Sequence, residues 1–275
     1  MQPILNIAGY KFISLNDTSS LREIWLVHCQ SLGLKGTILL SHEGININLA
    51  GTQEAITAFK KKLIEDMRFT DISFHQTYSD FQPFKKLKIK LKKEIITLRQ
   101  PTVDATKQRA PAIAPALLKQ WLDEKRNITL LDTRNDYEVN FGTFKNAVNL
   151  QIDDFTAFPA TLASIEKNKP IVMFCTGGIR CEKAALYLLN QGHEEVYQLD
   201  GGILGYFAKV GGEYYEGECF VFDQRVSLKY DLTSTLTKQC QTCQGPITTE
   251  QKTCLTCDTL TNTDKIILNQ QVTER

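Results

Sequence analysis

Residues 171–174 (Ile-Val-Met-Phe) run without a polar break into Cys175-Thr176-Gly177-Gly178-Ile179-Arg180-Cys181, and helical spacing of apolar residues takes over from 182 to 191. A short, uninterrupted apolar run suits a strand buried on both faces. A strand that turns through glycines directly into a helix is the repeating step of a parallel sheet covered by helices. The flanking sequence continues the step. Strand-like runs recur at 128–132, 147–150 and 196–199, and helical patterns at 116–124 and 158–165. Residues 116–215 are therefore expected to form an α/β domain. In such sheets ligands bind beyond the carboxyl ends of the strands, where Cys175 stands.

The chemistry of the loop follows from its composition. A glycine pair lets successive amides curl around one point, and the start of a helix adds the positive end of its dipole. Arg180 contributes a fixed cation. Together they favour thiolate over thiol, making Cys175 the expected nucleophile and Arg180 its electrostatic partner. Four residues separate Cys175 from Arg180. Cysteine phosphatases use a wider loop that admits a phosphate, whereas the tighter ring suits a single sulfur carried as a persulfide. Thr176, Gly177, Gly178 and Ile179 would line the substrate position. Cys181 either resolves a persulfide or disulfide at Cys175 or packs beneath the loop.

The first hundred residues follow another pattern. Strand-like runs at 7–15, 36–40, 45–49, 72–78 and 88–98 are interrupted by helical patterns at 21–32 and 53–66. This βαββαβ order is that of a ferredoxin-like α+β domain, residues 1–100. Its last run alternates lysine with apolar residues from Lys85 to Lys93. One strand face would carry Lys88, Lys90 and Lys92, either as contacts for nucleic-acid phosphates or as guards of a sheet edge. Pro101, Pro111 and Pro115 mark 101–115 as a linker.

Residues 216–275 are polar and cysteine-rich, with too few apolar side chains to fold unaided. Cys240-x2-Cys243 and Cys254-x2-Cys257 have the spacing of a structural zinc site, with disulfides or redox pairs as alternatives. Eight cysteines used in this way suit a reducing compartment. The chain shows neither a secretory leader nor a run of the roughly 20 apolar residues that a membrane span needs, so a cytoplasmic protein without a membrane partner is expected. The net charge of +1 leaves nucleic-acid binding to local clusters. No flavin, haem or nicotinamide motif is present.

Three stretches resemble a rhodanese domain. These are Leu131-Asp132-Thr133-Arg134 with Tyr137-Glu138 and the 142–147 segment, the loop Cys175–Arg180, and 196–203 with its Gly201-Gly202 pair. The order of blocks over nearly the whole chain is similar to that of the bacterial tRNA uridine hydroxylase family. The added blocks are 36–46 with Ala50-Gly51, 92–98, and 217–226. The resemblance implies conversion of a wobble uridine of tRNA to 5-hydroxyuridine with molecular oxygen as cosubstrate. It also implies an essential, persulfidated Cys175 and, as partners, tRNA and a sulfur-donor protein. Residues 107–115 depart from the family pattern. The competing readings are a sulfurtransferase passing sulfur from thiosulfate or a carrier persulfide to a thiol, and an adaptor without activity. His42 and Glu43 either meet substrate or shape their hairpin turn, and Asp132 with Arg134 reads as an ion pair under the loop.

Overall fold

The computed structural model describes residues 3–248, 251 and 253–260. The first domain is built from β1 (Ile4–Phe12), α1 (Thr18–Ser31), β2 (Lys35–Ser41), β3 (Gly44–Gly51), α2 (Gln53–Leu63), β4 (His75–Ser79) and β5 (Leu87–Leu91). The sheet runs β4-β1-β3-β2-β5, antiparallel except for the β2–β5 pair. Period-two alternation divides its faces. Leu5, Ile7, Ile38, Leu40, Ile45, Ile47 and Leu49 pack on Trp25, Phe59 and Leu63 of the two helices. Thr52 opens α2 by accepting the Ala55 amide on its hydroxyl. The ferredoxin-like order is present, with β5 as an added edge.

The second domain contains β6 (Ala112–Ile113), α3 (Pro115–Asp123), β7 (Thr129–Asp132), α4 (Asp136–Val139), β8 (Gly142–Phe144), β9 (Val148–Asn149), a 3-10 segment (Phe155–Ser164), β10 (Ile171–Phe174), α5 (Ile179–Asn190), β11 (Val196–Leu199) and α6 (Gly202–Lys209). Its parallel sheet runs β6-β11-β10-β7-β9. β10 is central and buried throughout, with a separate apolar core on each face. The α/β expectation is met.

Three differences from the sequence reading have physical causes. The basic strand expected over 88–98 stops at Leu91, where its partner β2 ends. The last rung is the Lys92 amide on the Leu40 carbonyl, and beyond it the Glu94 carboxylate takes the amides of Leu98 and Arg99. The stretch 101–115 is not a free linker. Val103 and Ala110 are buried in the second core, and β6 pairs with β11. The helix expected at 158–165 is a 3-10 segment that contains Pro159, which cannot donate an interior helix bond.

The third segment leans on the other two. β12 (Tyr215–Gly217) pairs with β8, and β13 (Cys219–Phe220) with β14 (Ser227–Leu228). Cys219, Val221 and Leu228 complete one core of the α/β domain. β15 (Lys238–Gln239) and β16 (Pro246–Ile247) form a small hairpin. Residues 261–275, the end of the expected cysteine-rich segment, lie outside the described residues.

Polar links hold the first two domains together. Lys183 of α5, almost fully buried, reaches Glu94 at 2.6 Å, Glu43 at 2.7 Å and the Ile96 carbonyl at 2.9 Å. Tyr10 of β1 donates to Glu182 at 3.1 Å. From the third segment, Arg225 donates to Thr77 of β4 at 2.6 Å. Removing the lysine charge would leave two facing carboxylates uncompensated. Lys183→Met is expected to lower unfolding stability by about 2–3 kcal/mol, less than a fully buried pair loses because both carboxylates keep some solvent. The urea-denaturation midpoint measures it.

Candidate functional site

Cys175 directly follows β10 and is 1% exposed. The chain turns at Gly178, whose φ of +98° supplies the left-handed N-cap of α5. Its amide donates to Cys175 Sγ at 3.1 Å. A second glycine turn closes the ring from behind. The amides of Ile203 and Leu204 donate to the carbonyls of Cys175 and Thr176. A methyl group on Gly202 would lie 2.4 Å from the Cys175 carbonyl oxygen and 2.8 Å from the Gly178 nitrogen, so no larger residue fits that turn.

Burial pushes the Cys175 thiol up. It is outweighed by a hydrogen bond from Cys181, the charge of Arg180 and the amides of Arg180 and Gly178, which together bring it down to about 6. Cys181, fully buried, is shifted the other way by burial and by the neighbouring sulfur anion. It also contacts Thr133 Oγ1 at 3.6 Å. The pair therefore divides into an anion and a donor.

Each residue of the first turn of α5 is held by a different element. Arg180 makes a two-pronged bond to Glu138 of α4, at 2.5 and 2.7 Å, and Glu138 is fully buried. Cys181 meets Thr133. Glu182 takes bonds from Tyr10, from Arg109 at 3.0 Å and from Gln198 at 2.9 Å. Lys183 meets Glu43 and Glu94. Under this turn, Asp132 and Arg134 form a fully buried pair at 2.7 Å, with Thr143 donating to the same aspartate. They support the loop and do not face the cleft. Glu43 also holds the Ile95 amide, making it a domain clamp.

The loop opens into a cleft of about 1210 Å³ roofed by the helix-free face of the first sheet. Of the expected site residues, Cys175, Thr176, Gly177, Ile179 and Arg180 line it. Gly178 is the turn itself, and Cys181 lies in the core behind. Two residues without any motif in the sequence touch the loop. Tyr10 lies against Gly178, and His75 against Gly177 and Gly201. Burial raises the Tyr10 phenol well above its ordinary value and lowers the His75 imidazole, so both face the loop uncharged. The only sequence sign of them was their period-two position on strands.

Lys88 pairs in register with Thr37, and Lys90 with Leu39, both cleft-lining residues. Lys88 and Lys90 therefore extend the cleft face to the sheet edge, and Lys92 follows just past it. None of Lys85, Lys86, Lys88, Lys90, Lys92 and Lys93 has an acidic partner among the described residues. An adjoining hollow of about 570 Å³ is lined by Lys85, Lys86, Lys88, Phe222, Gln239 and Gln244. Phe222 is 63% exposed and packs against Arg180. Phe84 lines the same mouth, while Phe81 is exposed.

The four C-terminal sulfurs lie within 4.8 Å of one another, with Cys243–Cys254 at 3.5 Å and Cys240–Cys257 at 3.8 Å. The two turns have the same form. Gln244 and Asp258, each just after the second cysteine, have positive φ and donate back to the carbonyl of the first. Four thiols at the corners of a tetrahedron fit one zinc ion, whose Zn–S bonds of about 2.3 Å set similar edges.

Residues 4–95 match the family described as UPF0176 acylphosphatase-like domain, and residues 114–209 match the rhodanese-like domain. A tRNA uridine(34) hydroxylase from Cupriavidus taiwanensis is 49% identical over 90% of this chain and 91% of its own length. One from Variovorax paradoxus is 48% identical over 85% and 92%. The chain belongs to the tRNA uridine(34) hydroxylase family. As a member of that enzyme family it carries both matched domains, and the stretches that clamp them, Glu43 with Glu94 and Lys183, come one from each side. No helix among the described residues is long and apolar enough to cross a membrane.

The sulfur anion can be titrated directly. The folded thiol is expected to ionise near pH 6, against about 8.5 for an unfolded cysteine. A depressed value stabilises the folded state. The contribution is complete above the unfolded pKa and disappears as pH falls through the folded one. Ultraviolet thiolate absorbance, absent in Cys175→Ser, should follow this midpoint. Cys181→Ala should move it upward by removing a donor.

Proposed function

We propose that the chain hydroxylates the wobble uridine of tRNA at C5, giving 5-hydroxyuridine, with molecular oxygen as cosubstrate and Cys175 as the reacting sulfur. The observation that carries this reading is the cleft itself. A sulfur anion stands at its base, and an unpaired lysine row leads from its mouth. A small-molecule sulfurtransferase would not need that row, whereas an RNA backbone would be drawn to it. The name of the relatives supplies the reaction class.

Hydroxylating a C–H bond with O2 sends the second oxygen atom to water and consumes two electrons and two protons. Closing a disulfide between the Cys175 thiolate and the Cys181 thiol releases two electrons and one proton, the second proton comes from solvent, and reduction by an external thiol would restore the pair. Arg180 and the loop amides keep Cys175 anionic. The roof excludes bulk water, and Tyr10 and His75 shape the space above the loop. A persulfide on Cys175, loaded by a sulfur-donor protein, would occupy the same ring of amides. The rhodanese-like match favours one alternative, transfer of that sulfur from thiosulfate or a carrier to a thiol.

Zinc, where bound, would be held by Cys240, Cys243, Cys254 and Cys257, and its role would be to fix the hairpin beside the lysine-lined hollow. Thr176, Gly177, Gly178 and Ile179 would meet the nucleotide, and Lys88, Lys90 and Lys92 the phosphates.

In a strain lacking the chain, nucleosides digested from tRNA should show no 5-hydroxyuridine derivatives by mass spectrometry. Wild type should restore them and Cys175→Ser should not. Undiminished product with serine would refute the reading, and rapid thiocyanate production from thiosulfate and cyanide would favour the alternative. Replacing both Lys88 and Lys90 by glutamine should flatten the slope of log affinity against log salt by roughly 1.5–2. Freshly reduced protein should contain one zinc per chain by elemental analysis, and Cys254→Ser should lose it.

A further inference from the structure

The cleft face of the first sheet is polar where a sheet face between two domains would ordinarily be apolar. Register sets its residues in rows. One row crosses Tyr10, Asn46, Leu39 and Lys90, and the next crosses His75, Ala8, Asn48, Thr37 and Lys88. Asn46 and Asn48 are therefore cross-strand neighbours of Tyr10 and Ala8. Tyr10 and His75, which touch the Cys175 loop, bracket them. Directly opposed residues stand about 5 Å apart, so the two amides lie within a nucleobase's reach of the loop.

The orientation of these amides is fixed. The Ile95 carbonyl can only accept, so Asn46 must turn its NH2 toward it, at 3.4 Å. The Asn46 oxygen then faces the NH2 of Asn48, at 3.1 Å. Each side chain keeps one N–H, and the Asn48 oxygen has no partner among the described residues. Near them Asn6, 3% exposed and also lining the cleft, has its Oδ1 without a partner. Asn46 and Asn48 are half-buried, so their free amide groups remain open to the cleft, and the buried, unpartnered Asn6 oxygen beside them marks the same wall as one suited to a polar ligand.

We propose that Asn48, oriented through Asn46, reads the target base as uracil. Its oxygen accepts the N3–H, and its remaining N–H donates to O4. This rests on the substrate reading above and adds the residues that select the base. In uracil, C5 is next to C4, so a base gripped at N3 and O4 turns C5 away from Asn48, leaving it free to face the loop that Tyr10 and His75 touch. Cytosine presents an acceptor at N3 and a donor at N4, the reverse of what the fixed amide requires. These are specificity residues. They neither form nor break a bond.

The test uses the full chain carrying Cys175→Ser and fluorescent anticodon stem-loop RNAs identical except at the target base. Uridine RNA should bind roughly tenfold more tightly than cytidine RNA, and than 3-methyluridine RNA, in which a methyl group replaces the N3 hydrogen. Adding Asn48→Ala should reduce uridine binding to the level of the other two and leave those two unchanged. Because the 3-methyluridine comparison needs no further variant, it holds even if Asn48→Ala folds poorly. Equal binding of uridine and 3-methyluridine RNAs, or a uridine preference that survives in well-folded Asn48→Ala, overturns the proposal while leaving the substrate reading intact. Stem-loop binding no tighter than that of an unrelated hairpin overturns the substrate reading, and this proposal with it.

Discussion

A sulfur anion out of contact with water is costly unless charge and hydrogen bonds surround it. Around Cys175 the compensation extends outward in steps. Two amides and one thiol reach the sulfur, Arg180 supplies the cation, and buried Glu138 holds Arg180 by both nitrogens. Glu138 is in turn anchored by the short helix α4, where its carboxylate also takes the Asn135 amide. Each member would be unfavourable alone. Held together, they keep a sulfur anion at the end of the central strand of the rhodanese-like domain.

The first domain adds enclosure. Its helix-free face covers the loop with uncharged Tyr10 and His75 and with the asparagine rows, so the anion below is not neutralised by a competing cation. The lysines begin only at the far edge of the same face. Charge is thereby graded across one sheet, neutral above the sulfur and positive at the mouth. On the proposed function, such a gradient would draw a polyanion to the entrance and leave the interior to a neutral base.

Much of this was legible in the residues, for local reasons. An apolar run ending in Cys-Thr-Gly-Gly specifies strand, turn and helix within a few residues of one another, and the paired CxxC spacing announces a tetrahedral site. What escaped notice depends on distance along the chain. Glu43 read as either a substrate contact or a turn residue, because the lysine it pairs with lies in another domain. Tyr10 and His75 sit on ordinary alternating strands, and only docking turns them to the loop. The alternation of Lys88 onward persists past the end of β2, so periodicity overran the strand that pairing allows. The two residues of β6 are too few to show a period at all, which left 101–115 looking like a tether.

The crowding of α5 has a consequence for how such proteins can change over time. Around one helical turn, Arg180 and Cys181 are satisfied from within their own domain and Glu182 keeps Arg109 and Gln198, but both carboxylates that meet Lys183, Glu43 and Glu94, lie across the boundary. Here an excised second domain would carry a buried lysine stripped of both its carboxylates, two residues from Cys181. The two halves are thus joined for inheritance as a single unit, and a lineage could exchange one only by rewriting the helix that starts at Ile179.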